Sequence, residues 1–181
     1  MEQITLYDKV FSKYISSQEI TKAVKNVAEQ INNDIKNEDL PVFLSILNGA
    51  FMFTSDLMKY ITSDCLLSFI KLSSYDGLSS KGEIKELIGL NFDLTGKTVI
   101  ILEDIVDTGI TMEHLVGAIL KYKPKQLKIA TMLFKPDAYV KDIKLDYTGI
   151  IVPNEFIVGY GLDYNGLGRN YSEIYKLVKL Q

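Results

Sequence analysis

The stretch Val99-Ile-Ile-Leu-Glu-Asp-Ile-Val-Asp-Thr-Gly-Ile-Thr-Met112 decides the fold of this chain. Four apolar residues indicate a buried strand, which ends in two adjacent carboxylates, Glu103 and Asp104. A third carboxylate, Asp107, follows, and a Thr-Gly-Ile-Thr segment then leads into a predicted helix. A strand that passes through a loop into a helix is the repeating unit of parallel α/β sheets, and ligands bind at the carboxyl ends of their strands.

The loop after this strand has the chemistry of a phosphate site. A helix N-terminus offers free amide N–H groups and a partial positive charge to an anion. Gly109 lets the backbone approach closely, and Thr108 and Thr111 add hydroxyl donors. The carboxylates upstream would repel a phosphate, so ribose hydroxyls or a hydrated Mg²⁺ are their natural partners. The pattern therefore describes a ribose 5-phosphate site, with simple helix capping as the alternative interpretation of Asp-Thr-Gly alone.

Strands and helices alternate over the first three quarters of the chain. Ser16-x-x-Glu19 is a capping box, and apolar residues follow it on one helical stripe to Ile35. The other predicted elements are helices 50–61 and 111–121 and strands 42–47, 65–72, 84–90, 98–102 and 127–134. We expect a single α/β domain over residues 1–181, with a central, mainly parallel sheet flanked by helices. Part of the N-terminus should form a small hood over the sheet edge with the short late strands 149–152, 156–158 and 173–178.

Other segments should reach the same edge of the sheet. Leu47-Asn48-Gly49 follows a strand and could expose amides to a second anion, although an Asn-Gly turn is an equal alternative. The loop 73–82, which opens with Ser73-Ser74-Tyr75, could close over ligands, and a plain surface loop is its alternative. Lys135 follows a further strand and could reach a ligand there, with a solvated lysine as the default.

Composition excludes several classes of protein. The hydrophobic share of 47% and charged share of 24% are those of soluble globular proteins. A net charge of −3 and a pI of about 5.2 argue against a nucleic-acid binder. Cys65 is the one cysteine, which is typical of a reducing compartment, and the N-terminus lacks a signal-peptide core. No apolar run approaches the roughly 18 residues that span a bilayer. We therefore expect a cytoplasmic protein without membrane or nucleic-acid partners.

The chain resembles the hypoxanthine (hypoxanthine-guanine) phosphoribosyltransferase family from about Val42 to Leu180. The segment Val99–Thr111 is similar to the phosphoribosyl pyrophosphate signature of all type I phosphoribosyltransferases. The late run Phe156-Ile-Val-Gly-Tyr-Gly-Leu-Asp-Tyr-Asn165 and then Arg169 resemble the segment specific to the 6-oxopurine branch. The resemblance implies the type I phosphoribosyltransferase fold and a homodimer or homotetramer. It also implies purine salvage, the Mg²⁺-dependent transfer of a 5-phosphoribosyl group from phosphoribosyl pyrophosphate to hypoxanthine or guanine.

The same resemblance implies roles for individual residues. At the base, Asp107 would exchange a proton near N7 as the catalytic residue, and Lys135 would donate to the 6-oxo group. Phe156 would stack on the purine, and the Ile157 main chain would read the ring edge. The ribose hydroxyls and Mg²⁺ would be held by Glu103 and Asp104, with a second Mg²⁺ at Asp163. The 5′-phosphate would bind the side chains or amides of Asp107, Thr108, Gly109, Ile110 and Thr111. Pyrophosphate would contact Leu47, Asn48, Gly49 and Arg169, under a closing loop that contains Ser74 and Tyr75.

Two positions depart from the family pattern, and three alternatives stay open. A basic residue often stands where Asn48 does, and a polar or basic one where Ile110 does, so the side-chain contribution to pyrophosphate binding is open. The preference between hypoxanthine and guanine and the use of xanthine are open as well. The alternatives are an RNA-binding attenuator of the same fold, an inactive nucleotide-binding protein, and an adenine or orotate transferase. The acidic pI argues against the attenuator, and Asp107 argues against an inactive protein. The late motif argues against an adenine or orotate transferase.

Overall fold

The computed structural model describes residues 2–73, 86–88, 90 and 92–178 of the chain. Within them the elements are β1 (Gln3–Leu6), β2 (Lys9–Ile15), α1 (Ser17–Ile35), β3 (Val42–Ile46), α2 (Phe51–Met58), β4 (Leu66–Ser73), β5 (Glu86–Ile88), β6 (Thr98–Val106), α3 (Ile110–Leu120), β7 (Gln126–Phe134), a 3-10 turn (Pro136–Ala138), β8 (Tyr147–Ile151), β9 (Ile157–Val158) and β10 (Ile174–Leu177). Apart from Ser73, the predicted loop 73–82 lies outside these residues. In the described part of the chain, no helix has both the length and the hydropathy to cross a bilayer.

A six-stranded sheet forms the centre of the fold, in the order β5-β4-β3-β6-β7-β8. The strands from β4 to β8 in this order are parallel, while β5 returns antiparallel beside β4. All of β3 and the first five residues of β6 are buried, because helices cover both faces of the sheet. This arrangement confirms the predicted α/β class and the predicted return strand.

The helices divide the core into two layers. Helix α1 begins with the predicted capping box, in which the amide of Glu19 donates to Ser16 Oγ and the amide of Ser16 donates to Glu19 Oε2. Its apolar stripe packs toward α2 and β8 on one face of the sheet. Helix α3 covers the other face through Met112, Leu115 and Ile119. The strand–helix units thus bring the carboxyl ends of β3, β6 and β7 to one edge.

A second sheet of four antiparallel strands, β1-β2-β10-β9, forms the hood and is built from N-terminal and C-terminal segments. Its small core contains Leu6, Phe11, Val158 and Tyr175. One assignment to this sheet was wrong, because the predicted strand 149–152 belongs to β8 of the main sheet. It pairs parallel with β7, and its buried Tyr147 lies in the α1 layer of the core.

Strand β6 is also longer than predicted, since it ends at Val106 rather than at Leu102. The neighbouring strand β7 continues to Phe134 and provides ladder partners up to the Val106↔Phe134 pair. The two carboxylates Glu103 and Asp104 therefore lie within the last part of the strand, not in the loop after it. Their backbone is held by the sheet, which makes their positions rigid.

Candidate active site

A cavity of about 160 Å³ opens at the carboxyl end of β6 and is lined by residues 103–109, 111 and 112. Gly109 is the N-cap of α3 and has a φ of 81°. A Cβ at this position would lie 2.4 Å from Tyr139 Cε2, so only glycine fits both the backbone and the space. Thr108 and Thr111 are exposed beside it, and the cavity therefore has the helix terminus and hydroxyls that the sequence predicted.

The adjacent acids Glu103 and Asp104 form the inner wall of this cavity. Asp104 Oδ1 accepts from the amide of Ile105 at 2.8 Å. Glu103 Oε2 is buried and has no hydrogen-bond partner among the described residues. Burial raises the pKa of Glu103 well above its usual value, and the Asp104 charge adds to this effect. Burial also raises the pKa of Asp104. The wall is thus suited to a hydroxyl group or a cation.

Two predicted loops meet at the Asp104 carboxylate. A Cβ on Gly49 would lie 1.5 Å from Asp104 Oδ2, and a Cβ on Gly161 would lie 2.0 Å from the Gly49 carbonyl oxygen. Gly161 itself has a φ of 98°, and the Leu47–Asn48 peptide bond is cis. The structure therefore brings the segment 47–49 and the late segment that contains Gly161 against the β6 carboxylates.

Asp163 and Arg169 form an ion pair in the late segment, with 2.5 Å between Asp163 Oδ1 and the nearer guanidinium nitrogen. The other guanidinium nitrogen donates to the Gly161 carbonyl at 2.6 Å. Asp163 Oδ2 accepts from the amide of Gly166 at 2.7 Å. The Arg169 charge also lowers the pKa of Asp104, against the larger effect of burial. Both predicted residues hence lie on the side of the site where Gly49 is.

Asp107 and Lys135 form an ion pair between two strand ends, with 3.0 Å from Lys135 Nζ to Asp107 Oδ2. The lysine side chain is only 9% exposed, whereas that of Asp107 is 44% exposed. Lys135 directly follows β7, as predicted, and its amide donates to the Val106 carbonyl of β6. The proposed proton-transfer residue and the proposed base-reading lysine are therefore in direct contact.

The predicted base-binding residues of the late segment lie in the hood. Phe156 is 45% exposed and contacts the rings of Phe11 and Tyr164. Ile157 is buried in β9, where it pairs with Lys176 of β10. Ser74 and Tyr75, predicted to belong to the closing loop, lie outside the described residues.

One pair at the site was missed by sequence reasoning. The buried Tyr160 hydroxyl donates to Asp56 Oδ2 at 2.8 Å, which ties the late segment to α2. Tyr160 has a φ of 49° between two glycines of positive φ, and burial raises the pKa of its hydroxyl. The Gly-Tyr-Gly run was a visible signal, but no spacing rule could relate it to a carboxylate 104 positions away.

The described residues contain no group of three or more potential metal-ligating side chains. Glu103 and Asp104 nevertheless fit a divalent cation, because two adjacent carboxylates line the cavity and Glu103 Oε2 lacks a hydrogen-bond partner among the described residues. Such a site supplies only part of a Mg²⁺ coordination shell, so the remaining ligands would come from waters and a bound phosphate compound.

The chain is similar in sequence and fold to several known proteins. The phosphoribosyl transferase domain family matches residues 12–165. A hypoxanthine-guanine phosphoribosyltransferase of Aquifex aeolicus is 37% identical over 89% of this chain and 91% of that protein. One from Bacillus subtilis is 38% identical over 86% of this chain and 87% of that protein. A crystal structure of a hypoxanthine-guanine phosphoribosyltransferase from Bacillus anthracis is similar with a TM-score of 0.82 at 34% identity, covering 94% of this chain and 99% of that one.

The conformation of Gly109 makes it more sensitive to substitution than a helical glycine. Gly109→Ala should lower the free energy of unfolding by about 2–4 kcal/mol, because the left-handed φ disfavours a Cβ and Tyr139 must move. The control Gly117→Ala in α3, where a Cβ would meet nothing within 4 Å, should raise it by about 0.5–1 kcal/mol. Urea unfolding measures the free energy of unfolding of both variants. Equal changes in the two variants would contradict the special role of the Gly109 conformation.

Proposed function

The chain belongs to the phosphoribosyl transferase family, in its hypoxanthine-guanine branch, and we propose how its site carries out the reaction. The enzyme acts in purine salvage. It transfers the 5-phosphoribosyl group of phosphoribosyl pyrophosphate to hypoxanthine or guanine, which gives IMP or GMP and pyrophosphate. The observation that carries the proposed mechanism is the contact between Asp107 and Lys135, because it joins the ribose-phosphate loop to the base-reading side chain.

The base binds at the Asp107–Lys135 pair and against Phe156. Lys135 donates from its ammonium group to the 6-oxo oxygen of the base, and Asp107 exchanges a proton at N7. The ring stacks on the exposed face of Phe156, and the main chain of Ile157 contacts the ring edge. The burial of Lys135 supports this role, because a buried ammonium group that gains a second acceptor loses little hydration.

The ribose and its phosphates bind along the cavity at the end of β6. The 5′-phosphate accepts from Thr108, Thr111 and the amides of the loop, including those of Gly109 and Ile110. The Ile110 side chain is 46% exposed and apolar, so this residue contributes only its amide. Pyrophosphate lies against Leu47, Asn48 and Gly49 and is held by the guanidinium of Arg169. The free oxygen of Glu103 supports binding of the ribose hydroxyls at Glu103 and Asp104.

In the reaction, a purine nitrogen attacks the anomeric carbon and pyrophosphate leaves with the bonding electrons. Glu103 and Asp104 would hold one Mg²⁺ and Asp163 a second, each with waters and substrate oxygens, and these ions would supply positive charge that neutralises the leaving group. The protein provides no nucleophile, and its residues orient the two substrates and take up the proton of the base at Asp107. Exclusion of water is assigned to the loop that contains Ser74 and Tyr75, since water would hydrolyse the activated sugar.

We also propose that the enzyme is cytoplasmic and forms homodimers or homotetramers. The first proposal is supported by the single cysteine, Cys65, which is unpaired. The second follows from the family resemblance. The chain would act on its purine base and phosphoribosyl pyrophosphate without nucleic-acid or membrane partners.

A panel of bases tests the function and the role of Lys135. With Mg²⁺ and saturating phosphoribosyl pyrophosphate, hypoxanthine and guanine should be substrates. Adenine should be used at least about tenfold less well, because its amino group would face the donor Lys135. Lys135→Ala should lower kcat/KM for the 6-oxopurines. It should therefore also reduce the ratio of kcat/KM between the 6-oxopurines and adenine.

The control for this panel is Lys128→Ala near the other end of β7, which breaks an ion pair with Asp34. It should leave the ratio of kcat/KM between the 6-oxopurines and adenine unchanged. Steady-state rates with each base are the measurement. Efficient use of adenine by the wild-type enzyme would overturn both the assignment of Lys135 and the branch of the family.

Asp107→Asn should lower kcat by roughly 10²- to 10⁴-fold, since a general acid or base typically contributes that much. The matched control is Asp137→Asn, an exposed carboxylate two residues after Lys135, which should keep the wild-type kcat. Steady-state kinetics with hypoxanthine compare the three proteins. A near-normal kcat in the Asp107 variant would remove this residue from the proton transfer.

Removal of the metal should abolish activity and leave the fold intact, because Mg²⁺ binds mainly through the substrate. Chelator-treated protein should keep its circular dichroism spectrum and unfolding temperature, and added Mg²⁺ should restore the transfer. Titration calorimetry should find tight Mg²⁺ binding only when phosphoribosyl pyrophosphate is present. Tight binding to the protein alone would contradict this arrangement.

A further inference from the structure

The tip of the β1–β2 hairpin reaches the proposed stacking ring through one intermediate tyrosine. The Tyr164 hydroxyl donates to Asp8 Oδ1 at 2.9 Å. The Tyr164 ring lies perpendicular to Phe156, with 5.8 Å between ring centroids and an interplanar angle of 86°. Asp8 is exposed, and neither Asp8 nor Tyr164 has a role in the site described above.

Three further side chains of the hairpin surround the Tyr164 ring. Lys9 Nζ lies over it at 5.2 Å from the centroid, and Tyr7 contacts it edge-on with 6.1 Å between centroids. Phe11, which is fully buried, lies 6.2 Å from Tyr164 and 6.1 Å from Phe156. The hairpin therefore holds Tyr164 by a hydrogen bond, a cation–π contact and two ring contacts, more than a surface tyrosine needs for packing alone.

The contact between Tyr164 and Phe156 restricts the stacking ring. Phe156 keeps 45% of its surface exposed, and its carbonyl accepts from the amide of Leu177. The backbone of Phe156 is thus fixed by the sheet. The orientation of its ring depends on the side chains that contact the ring. An edge-to-face arrangement is the preferred geometry for two aromatic rings, so a fixed Tyr164 favours one orientation of Phe156.

Asp8 fixes Tyr164 through its charge. The hydrogen bond from the Tyr164 hydroxyl lowers the pKa of the Asp8 carboxyl, which therefore accepts this bond as a carboxylate at neutral pH. A charge-assisted hydrogen bond is stronger and more directional than one between neutral groups. The hydrogen bond fixes the direction of the Cγ–Cζ axis of Tyr164, and the ring contacts with Tyr7 and Phe11 restrict rotation of the ring about that axis.

We infer that Asp8 and Tyr164 are positioning residues for the purine base, because together they hold Phe156 in the orientation that stacks on the ring. The inference rests on the proposed function, in which Phe156 contacts the base. It assigns to the N-terminal hairpin a part in base binding and none in the binding of phosphoribosyl pyrophosphate or in the chemical step.

The kinetic test separates the two substrates. Asp8→Ala and Tyr164→Phe should each raise KM for hypoxanthine about three- to tenfold, the range for loss of one such contact. The KM for phosphoribosyl pyrophosphate and kcat should stay within about twofold of wild type. Asp8→Asn keeps an oxygen acceptor but loses the charge, so it should restore only part of the lost affinity. A double variant should be no worse than either single one, since both remove the same hydrogen bond.

The control is Tyr14→Phe in β2, which removes a hydroxyl from another tyrosine of the same hairpin, whose ring lies under Lys176. It should leave every kinetic constant unchanged. A lower kcat together with a higher KM for both substrates in Asp8→Ala would overturn the inference, because this combination would indicate a general structural defect. Additive effects in the double variant would overturn it as well.

A second measurement does not depend on activity. With 4-fluorophenylalanine incorporated, the fluorine resonance of Phe156, assigned by Phe156→Leu, should shift or broaden in Asp8→Ala and Tyr164→Phe but not in Tyr14→Phe. An unchanged resonance in the first two variants would overturn the inference alone, whatever their kinetics. A wild-type chain that transfers no phosphoribosyl group to any base would instead overturn the proposed function.

Discussion

Three segments of the chain meet at Gly49 with no room for a side chain. Its backbone packs against the Asp104 carboxylate of β6, and its carbonyl oxygen lies against Gly161 of the late segment. The main sheet, the loop after β3 and the C-terminal part of the chain are held together by this contact. The positions of Asp163 and Arg169 follow from it, because Arg169 donates to the carbonyl of Gly161. The Tyr160–Asp56 hydrogen bond fastens the same segment to α2.

The two ends of the site differ in how their charges are satisfied. At the proposed base end, Asp107 and Lys135 form an ion pair in the structure. At the proposed ribose end, Glu103 has a buried oxygen without a partner among the described residues, which typically costs about 1–3 kcal/mol. A ligand that brings hydroxyl groups or a cation to Glu103 relieves this cost. A ligand at Lys135 must instead add to or share an existing contact. Under the proposed function, the ribose hydroxyls or Mg²⁺ at Glu103 would therefore relieve a cost that has no counterpart at Lys135.

The sequence was most informative where a local rule connects neighbouring residues. The capping box at Ser16, the apolar stripe of α1 and the glycine at the start of α3 were all predicted from spacing and side-chain chemistry. The end of β6 was misjudged, because its length depends on a ladder with β7 that no local pattern reveals. Strand β8 was assigned to the wrong sheet for the same reason. Pairs such as Tyr160–Asp56 and Tyr164–Asp8 could not be predicted, since each joins residues that are distant in sequence.

The pairing of β2 with β10 has a consequence for the order in which a ribosome completes the molecule. Translation releases the chain from its N-terminus, and early segments begin to fold while later ones are still being made. The main sheet has all of its strands once Ile151 has emerged, whereas the hood must wait for β10, which ends at Leu177. A nascent chain can therefore form the cavity at the end of β6 while β1 and β2 still lack their partner strand. The hood, which contains the proposed stacking residue Phe156, is thus completed after the main sheet, although β1 and β2 precede that sheet in the chain.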